Sequence, residues 1–295
     1  MKLEKLLGGR IVAQIIDGKA IGQQIRESIA ERVKELKEKG VTPGLAVILV
    51  GEDPASQTYV RNKHRSCEAI GIYSEVIKLP ENTNEEELLE QIHTLNERKE
   101  IHGILVQLPL PKHINEDKVI AAISPDKDVD GFSPVSVGKM MLGQDTFLPC
   151  TPFGVMKLLE YSGIEIAGKH AVVVGRSHIV GKPMGQLLLQ NDATVTYTHS
   201  KTKDLPSITK QADILIAAVG RPNFITREHV KEGAVVIDVG INRVENNKLV
   251  GDVNYEEVEP ISSYITPVPG GVGPMTITML LYNTVKSAEK TLGDK

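Results

Sequence analysis

The chain has 295 residues, 41% of them apolar and 24% charged, with a net charge of −4 and an isoelectric point near 6.1. At about 150 residues per domain, that length predicts two domains or one large α/β domain with a sizeable core. The acidic balance offers no basic field for nucleic acid, and four Phe with no Trp offer no stacking platform for a single strand.

Cys67 and Cys150 fit no metal spacing and are too few for a disulfide framework, so they read as reduced thiols and no metal is expected. Residues 1–10 lack the apolar run of a signal peptide. No segment reaches the ~20 apolar residues of a membrane span. The expectation is a soluble, cytoplasmic protein with neither membrane nor nucleic acid as partner.

In chain order, residues 21–39 predict an amphipathic helix ending at Gly40, and 45–50 a buried strand. A helix over 55–70, a strand over 73–79 and a helix over 84–97 follow, the last capped by Asn82 or Thr83 with acids in its first turn. A strand over 101–108 is cut by Pro109 and Pro111. From 124 to 150 the rhythm weakens among Pro125, Gly131, Pro134, Gly138, Gly143 and Pro149. Beyond it a second series places strands at 171–174, 194–198, 214–219 and 235–239, and a last helix over 275–290. Helix and strand alternate throughout, which predicts two α/β domains with parallel sheets, the second Rossmann-like. The boundary falls near Pro149: residues 1–148, with the last helix (275–295) packing back on them, and 149–274.

In the second series, strand 171–174 runs into Gly175-Arg176-Ser177 and then Gly181-Lys182-Pro183-Met184-Gly185. A glycine-rich turn between strand and helix is where a dinucleotide fold holds pyrophosphate against backbone N–H groups. The spacing is not G-x-G-x-x-G, since Ser177 takes the middle place, and a glycine-rich turn without nucleotide is the alternative. The next strand ends in His199-Ser200-Lys201, where an NAD site carries an acid. With Arg176 in the first loop, that absence favours the 2′-phosphate of NADP. The alternative for Arg176 and Lys201 is a pair of solvated cations.

In the first series, Ser56, Tyr59 and Lys63 share one helix face beside the apolar stripe of Val60, Cys67 and Ile70, a fitting cleft wall. Partial burial would lower the Lys63 pKa and free it for proton transfer; a solvated face is the alternative. Gln107, in Val106-Gln107-Leu108-Pro109-Leu110-Pro111, ends a buried strand where α/β sheets bind ligands, or else bonds loop backbone. Asp126, Asp128 and Asp130 crowd one turn that lacks the closing Glu of a calcium loop, leaving turn formation or ligand contact. The run Pro267-Val268-Pro269-Gly270-Gly271-Val272-Gly273-Pro274-Met275-Thr276 makes a stiff loop open to a flat ligand and enters a helix.

These segments in this order, with Asp128-Val129-Asp130-Gly131-Phe132, resemble the bifunctional methylenetetrahydrofolate dehydrogenase/cyclohydrolase family from Ile16 onward. The resemblance implies catalytic roles for Tyr59, Lys63, Gln107 and the pterin-holding Asp130. It extends the substrate surface to Ser56, Val106, Leu108, Pro269, Gly270, Gly271, Val272, Gly273 and Pro274. It assigns NADP contacts to Gly175, Arg176, Ser177, Ser200 and Ile241. No position departs from the family pattern. It further implies tetrahydrofolate one-carbon substrates, a folate cleft between two domains, a homodimer and a link to purine biosynthesis. A different NADP oxidoreductase of the shikimate or amino-acid dehydrogenase kind, and a nucleotide-sensing module without catalysis, are the competing readings. Gln107 and Asp130 speak against the former; Lys63, Gln107 and Asp130 together speak against the latter.

Overall fold

The computed structural model describes residues 12–245 and 248–293. They form two compact units, one of residues 23–150 with 277–293, the other of 12–22 with 151–276. The described chain opens with a short strand β1 (Gln14–Ile15) and helix α1 (Gly18–Glu38).

In the first unit, β2 (Gly44–Val50), α2 (Pro54–Ala69), β3 (Tyr73–Leu79), α3 (Glu85–Glu97) and β4 (Gly103–Val106) alternate as the sequence predicts. The strands are parallel, in the order β3-β2-β4. Every residue of β2 and β4 is buried, so neither shows the alternation of a half-exposed strand. Leu88, Ile92 and Leu95 of α3 pack with Ile48 and Ile104 in one core. The α3 cap is Asn84, not Asn82 or Thr83: its Oδ1 accepts from Glu87 N at 2.8 Å, and Glu87 Oε2 accepts from Asn84 N at 3.3 Å. This reciprocal pair satisfies two donors at once, which neither earlier residue could do.

The stretch of weakened rhythm is not structureless. It follows α4 (Glu116–Ala122) and holds all of α5 (Pro134–Met141), with glycine turns at Gly131 (φ 74°) and Gly143 (φ 68°). A Cβ on Gly131 would also lie 2.6 Å from the Leu148 carbonyl carbon, so this turn excludes any side chain.

The second unit runs α6 (Cys150–Tyr161), β5 (His170–Val174), α7 (Gly181–Gln190), β6 (Thr194–Thr198), α8 (Leu205–Thr209), β7 (Ile214–Ala217) and β8 (Val235–Asp238). A hairpin of β9 (Asn242–Arg243) and β10 (Leu249–Val250), then α9 (Tyr255–Val258) and β11 (Tyr264–Ile265), complete it. Its six-stranded sheet, β1-β11-β8-β7-β5-β6, is parallel throughout. From β5 the chain moves to β6 on one side and then to β7 on the other. The end of β5 is therefore the switch point at which such sheets bind ligands.

One boundary differs from the sequence-based division. Residues 14–15 pair with β11 (Gln14 opposite Tyr264, Ile15 opposite Ile265) and so belong with the second sheet, not with residues 1–148. Two-residue strands carry no period, and their pairing is invisible along the chain. The last helix, α10 (Val272–Gly293), begins earlier than residue 275 and belongs to the first unit from residue 277 onward.

Candidate active site

Helix α2 starts where Asp53 Oδ2 accepts from Ser56 N at 2.7 Å, with Pro54 in the first turn. Its buried residues are Ser56, Val60, Lys63 and Cys67, a single stripe at helical spacing. The expectation of a polar trio beside the apolar stripe is thus corrected. Ser56 and Lys63 lie within the stripe, while Tyr59 stands off it, 36% exposed.

Lys63 is 8% exposed, and its Nζ donates to Gln107 Oε1 at 3.0 Å. Gln107 Nε2 in turn donates to the Leu108 carbonyl at 2.7 Å. That second bond fixes the amide: its nitrogen is committed to backbone, so its oxygen faces the lysine. Gln107 thus bonds loop backbone, as one of its two readings has it, and at the same time faces Lys63. Burial lowers the Lys63 pKa, opposed by the negative field of Asp130.

The acidic turn divides its labour. Asp128 is buried and accepts from Phe132 N (3.2 Å), Ser133 N (2.8 Å) and Ser136 Oγ (2.7 Å); burial pushes its pKa up to about 6. Asp128 builds the turn, leaving Asp130 to face Lys63. Burial raises the Asp130 pKa, and the lysine charge pulls it back. Asp126 is exposed. Val106 and Leu108 share with Asp130 and Phe132 the wall of a small apolar cavity. Two residues that sequence reasoning missed hold the backbone before Asp130. The Val129 carbonyl accepts from Asn283 Nδ2 at 2.8 Å and from Cys150 Sγ at 3.3 Å. No signal along the chain marks either one, since the contacts span 154 and 21 residues.

In the second unit, Gly175 follows β5 at φ 134°, and a Cβ there would meet the Ala218 carbonyl oxygen at 2.2 Å. A Cβ on Gly181 would meet the Gly175 oxygen at 2.5 Å. Ser177 Oγ accepts from Val180 N and Gly181 N, each at 3.2 Å, which shapes the entry to α7. A Cβ on Gly185 would strike Tyr197 Oη at 2.2 Å, so α7 lies close on β6. This is a side-chain-free cradle at a helix start, the fit a pyrophosphate needs. Arg176, Ser200 and Lys201 are all exposed, and no carboxylate stands between Thr198 and Lys201.

The Pro/Gly-rich loop leads directly into α10, whose first turn includes Val272, Gly273 and Pro274. Pro269 is exposed, whereas Gly270 and Gly271 are buried. A Cβ on Gly271 would lie 2.6 Å from the Pro267 oxygen, and one on Gly273 3.2 Å from Ile241 Cδ1. Ile241, itself 42% exposed, is thereby brought against this loop.

Among the described residues no group of three or more His, Cys, Asp or Glu could hold a metal, and no helix is long and apolar enough to cross a membrane. Cys67 and Cys150 are buried and unbridged.

Two family models match the chain. The tetrahydrofolate dehydrogenase/cyclohydrolase catalytic domain matches residues 16–130, and the NAD(P)-binding domain of the same name matches 149–292. The chain is 80% identical over 280 residues to the bifunctional protein FolD of Lysinibacillus sphaericus, covering 95% of this chain and 99% of that one. The crystal structure of the bifunctional FolD of Campylobacter jejuni is similar with a TM-score of 0.93 at 55% identity, covering 95% and 99% of the two chains. The Trypanosoma brucei enzyme, complexed with NADP and an inhibitor, gives 0.92 at 41% identity over the same shares.

Proposed function

The chain belongs to the tetrahydrofolate dehydrogenase/cyclohydrolase family, and from that premise we propose which of its residues carry each part of the work. It oxidises 5,10-methylenetetrahydrofolate to the 5,10-methenyl cation with NADP, and hydrolyses that cation to 10-formyltetrahydrofolate. NADP, when bound, supplies the acceptor for the hydride that leaves the one-carbon bridge.

Lys63 handles the protons of hydrolysis. Water adds to the methenyl carbon and gives up one proton, leaving a hydroxyl there. The hydroxyl then loses its proton as its oxygen becomes the formyl carbonyl, the bond from that carbon to N5 breaks, and N5 takes a proton, so one proton is released overall. A primary amine whose pKa is lowered by burial can serve these transfers. Gln107 orients the amine through the 3.0 Å bond, and this contact is the observation that carries the reading. Asp130 accepts from the amino edge of the pterin, a planar donor surface suited to a carboxylate. Tyr59, exposed one turn before Lys63, packs against the folate; Ser56, Val106 and Leu108 line its surroundings. The residues from Pro269 to Pro274 supply a close-approach surface for its flat ring.

Gly175, Arg176, Ser177, Ser200 and Ile241 hold NADP. The glycine cradle admits the pyrophosphate, and Arg176 with Ser200 favours the 2′-phosphate over a bare ribose. The family resemblance also supports a homodimer, a cytoplasmic location and use of the product in purine biosynthesis. Light scattering tests the first of these. A spectral assay of purified protein with methylenetetrahydrofolate, offering NADP and NAD in turn, tests substrate, cofactor and the two-step course together.

A further inference from the structure

Asp252 is fully buried and follows β10, far in sequence from the glycine cradle. Its Oδ2 accepts from Val219 N at 2.6 Å and Gly220 N at 2.9 Å; its Oδ1 accepts from Arg221 N and Asn242 Nδ2, each at 2.9 Å. Three successive backbone N–H groups after β7 thus converge on one carboxylate. Left open, such a ring of donors is an anion site; here the chain fills it with its own acid. All the acceptor capacity a carboxylate offers is used.

A second acid ties Asp252 down. Asp238, at the end of β8 and 3% exposed, accepts from Asp252 N, Val253 N and Gly240 N, each at 2.9 Å. Its own N–H donates to Thr266 Oγ1 at 2.8 Å, at the root of the Pro/Gly-rich loop. The approach is so close that a Cβ on Gly240 would fall 2.2 Å from Asp252 Oδ1, and one on Gly251 1.8 Å from Asp238 Oδ2. These glycines therefore serve the acids and not a ligand.

The loops so joined are those that frame the nucleotide cradle. Ala218, whose carbonyl lies against Gly175, immediately precedes Val219, whose N–H Asp252 holds. Ile241 immediately precedes Asn242, whose side chain donates to Asp252. We propose that Asp252, anchored by Asp238, is a positioning residue for the cofactor: it sets the floor under Gly175 and the placement of Ile241. The assignment rests on reading this unit as the NADP-binding one.

The test is Asp252→Asn. An amide offers one oxygen where two are used, so whichever way it turns its NH2 faces two donors. NADP and NAD binding, followed by titration calorimetry, weaken together by ~10-fold or more, because the loop floor serves the part common to both. Hydrolysis of methenyltetrahydrofolate without cofactor is the internal reference and changes by less than ~2-fold, within ordinary context effects. Unchanged cofactor binding in folded Asp252→Asn overturns the proposal. So does a parallel loss of hydrolysis, which would make the acid a general structural element. Should Asp252→Asn not fold, Asn242→Ala removes a single donor, and a few-fold weakening of both cofactors with hydrolysis intact is required. Arg176→Ala separates the two readings. If it weakens NADP while the Asp252 and Asn242 variants do not, the cofactor assignment stands and the relay falls. If the parent binds neither cofactor, the cofactor assignment itself is wrong.

Discussion

Asn283 Nδ2 donates to the Val129 carbonyl at 2.8 Å and to the Leu148 carbonyl at 3.0 Å, so the last helix grips both ends of the segment that begins with Asp130. Ser287, one turn on, donates to the Asp126 carbonyl at 2.9 Å, and Lys286 to the Thr146 carbonyl at 3.0 Å. Asn283→Ala leaves two carbonyls short of a buried donor and loosens the peptide before Asp130. The Michaelis constant for folate rises about 10-fold in both reactions, while that for NADP stays put, as loss of a buried hydrogen bond at the substrate alone requires. Steady-state kinetics with each substrate varied in turn checks this; equal rises for folate and NADP would contradict it.

Lys63→Met keeps the length and apolar stem of the side chain and removes the amine. Hydride transfer depends mainly on holding two rings together, whereas hydrolysis needs a proton moved at water and at nitrogen. Cyclohydrolase activity therefore falls by ~10²-fold or more, dehydrogenase activity remains measurable, and methenyl product accumulates in the spectral assay. Parallel loss of both activities would make Lys63 a binding residue.

The pH profile of hydrolysis reports the same amine. Burial lowers the Lys63 pKa and the charge of Asp130 raises it, so activity climbs with pH as the ammonium loses its proton. Asp130→Asn removes the opposing charge, and the rising limb moves to lower pH. The same variant raises the folate Michaelis constant in both reactions, since the pterin edge is common to both substrates. A limb that stays in place or moves to higher pH shows that Asp130 does not act on Lys63.

Arg176→Ala tests cofactor choice. Without the guanidinium the 2′-phosphate loses a charge-assisted partner, and the Michaelis constant for NADP rises ~10-fold or more while that for NAD barely changes. Equal effects on the two cofactors, or a parent enzyme that prefers NAD, would remove Arg176 from this role.

Much of the fold was legible in the residues themselves. Strands β2, β4, β5, β7 and β8 announced themselves by apolar runs and helices α1, α2 and α3 by helical periodicity, because covering both faces of a parallel sheet demands such runs. The glycine turn after β5 and the missing acid after β6 point, by residue type alone, to a dinucleotide with an extra phosphate. Local chemistry sufficed there, since each signal lies within one βα unit.

The tertiary structure decided what crosses from one element to another. Periodicity set Lys63 beside the apolar stripe of α2; packing drew it inside, and only the approach of β4 supplied the Gln107 oxygen that makes burial of an amine tolerable. Residue type and spacing alone did not separate the three acids of one turn; the backbone folds around Asp128 and leaves Asp130 within the field of the lysine. The strands β1 and β11, the grip of Asn283 and the Asp238–Asp252 relay left no trace along the chain. Each joins residues distant in sequence through one or two hydrogen bonds, and pairing of that kind has no period to read.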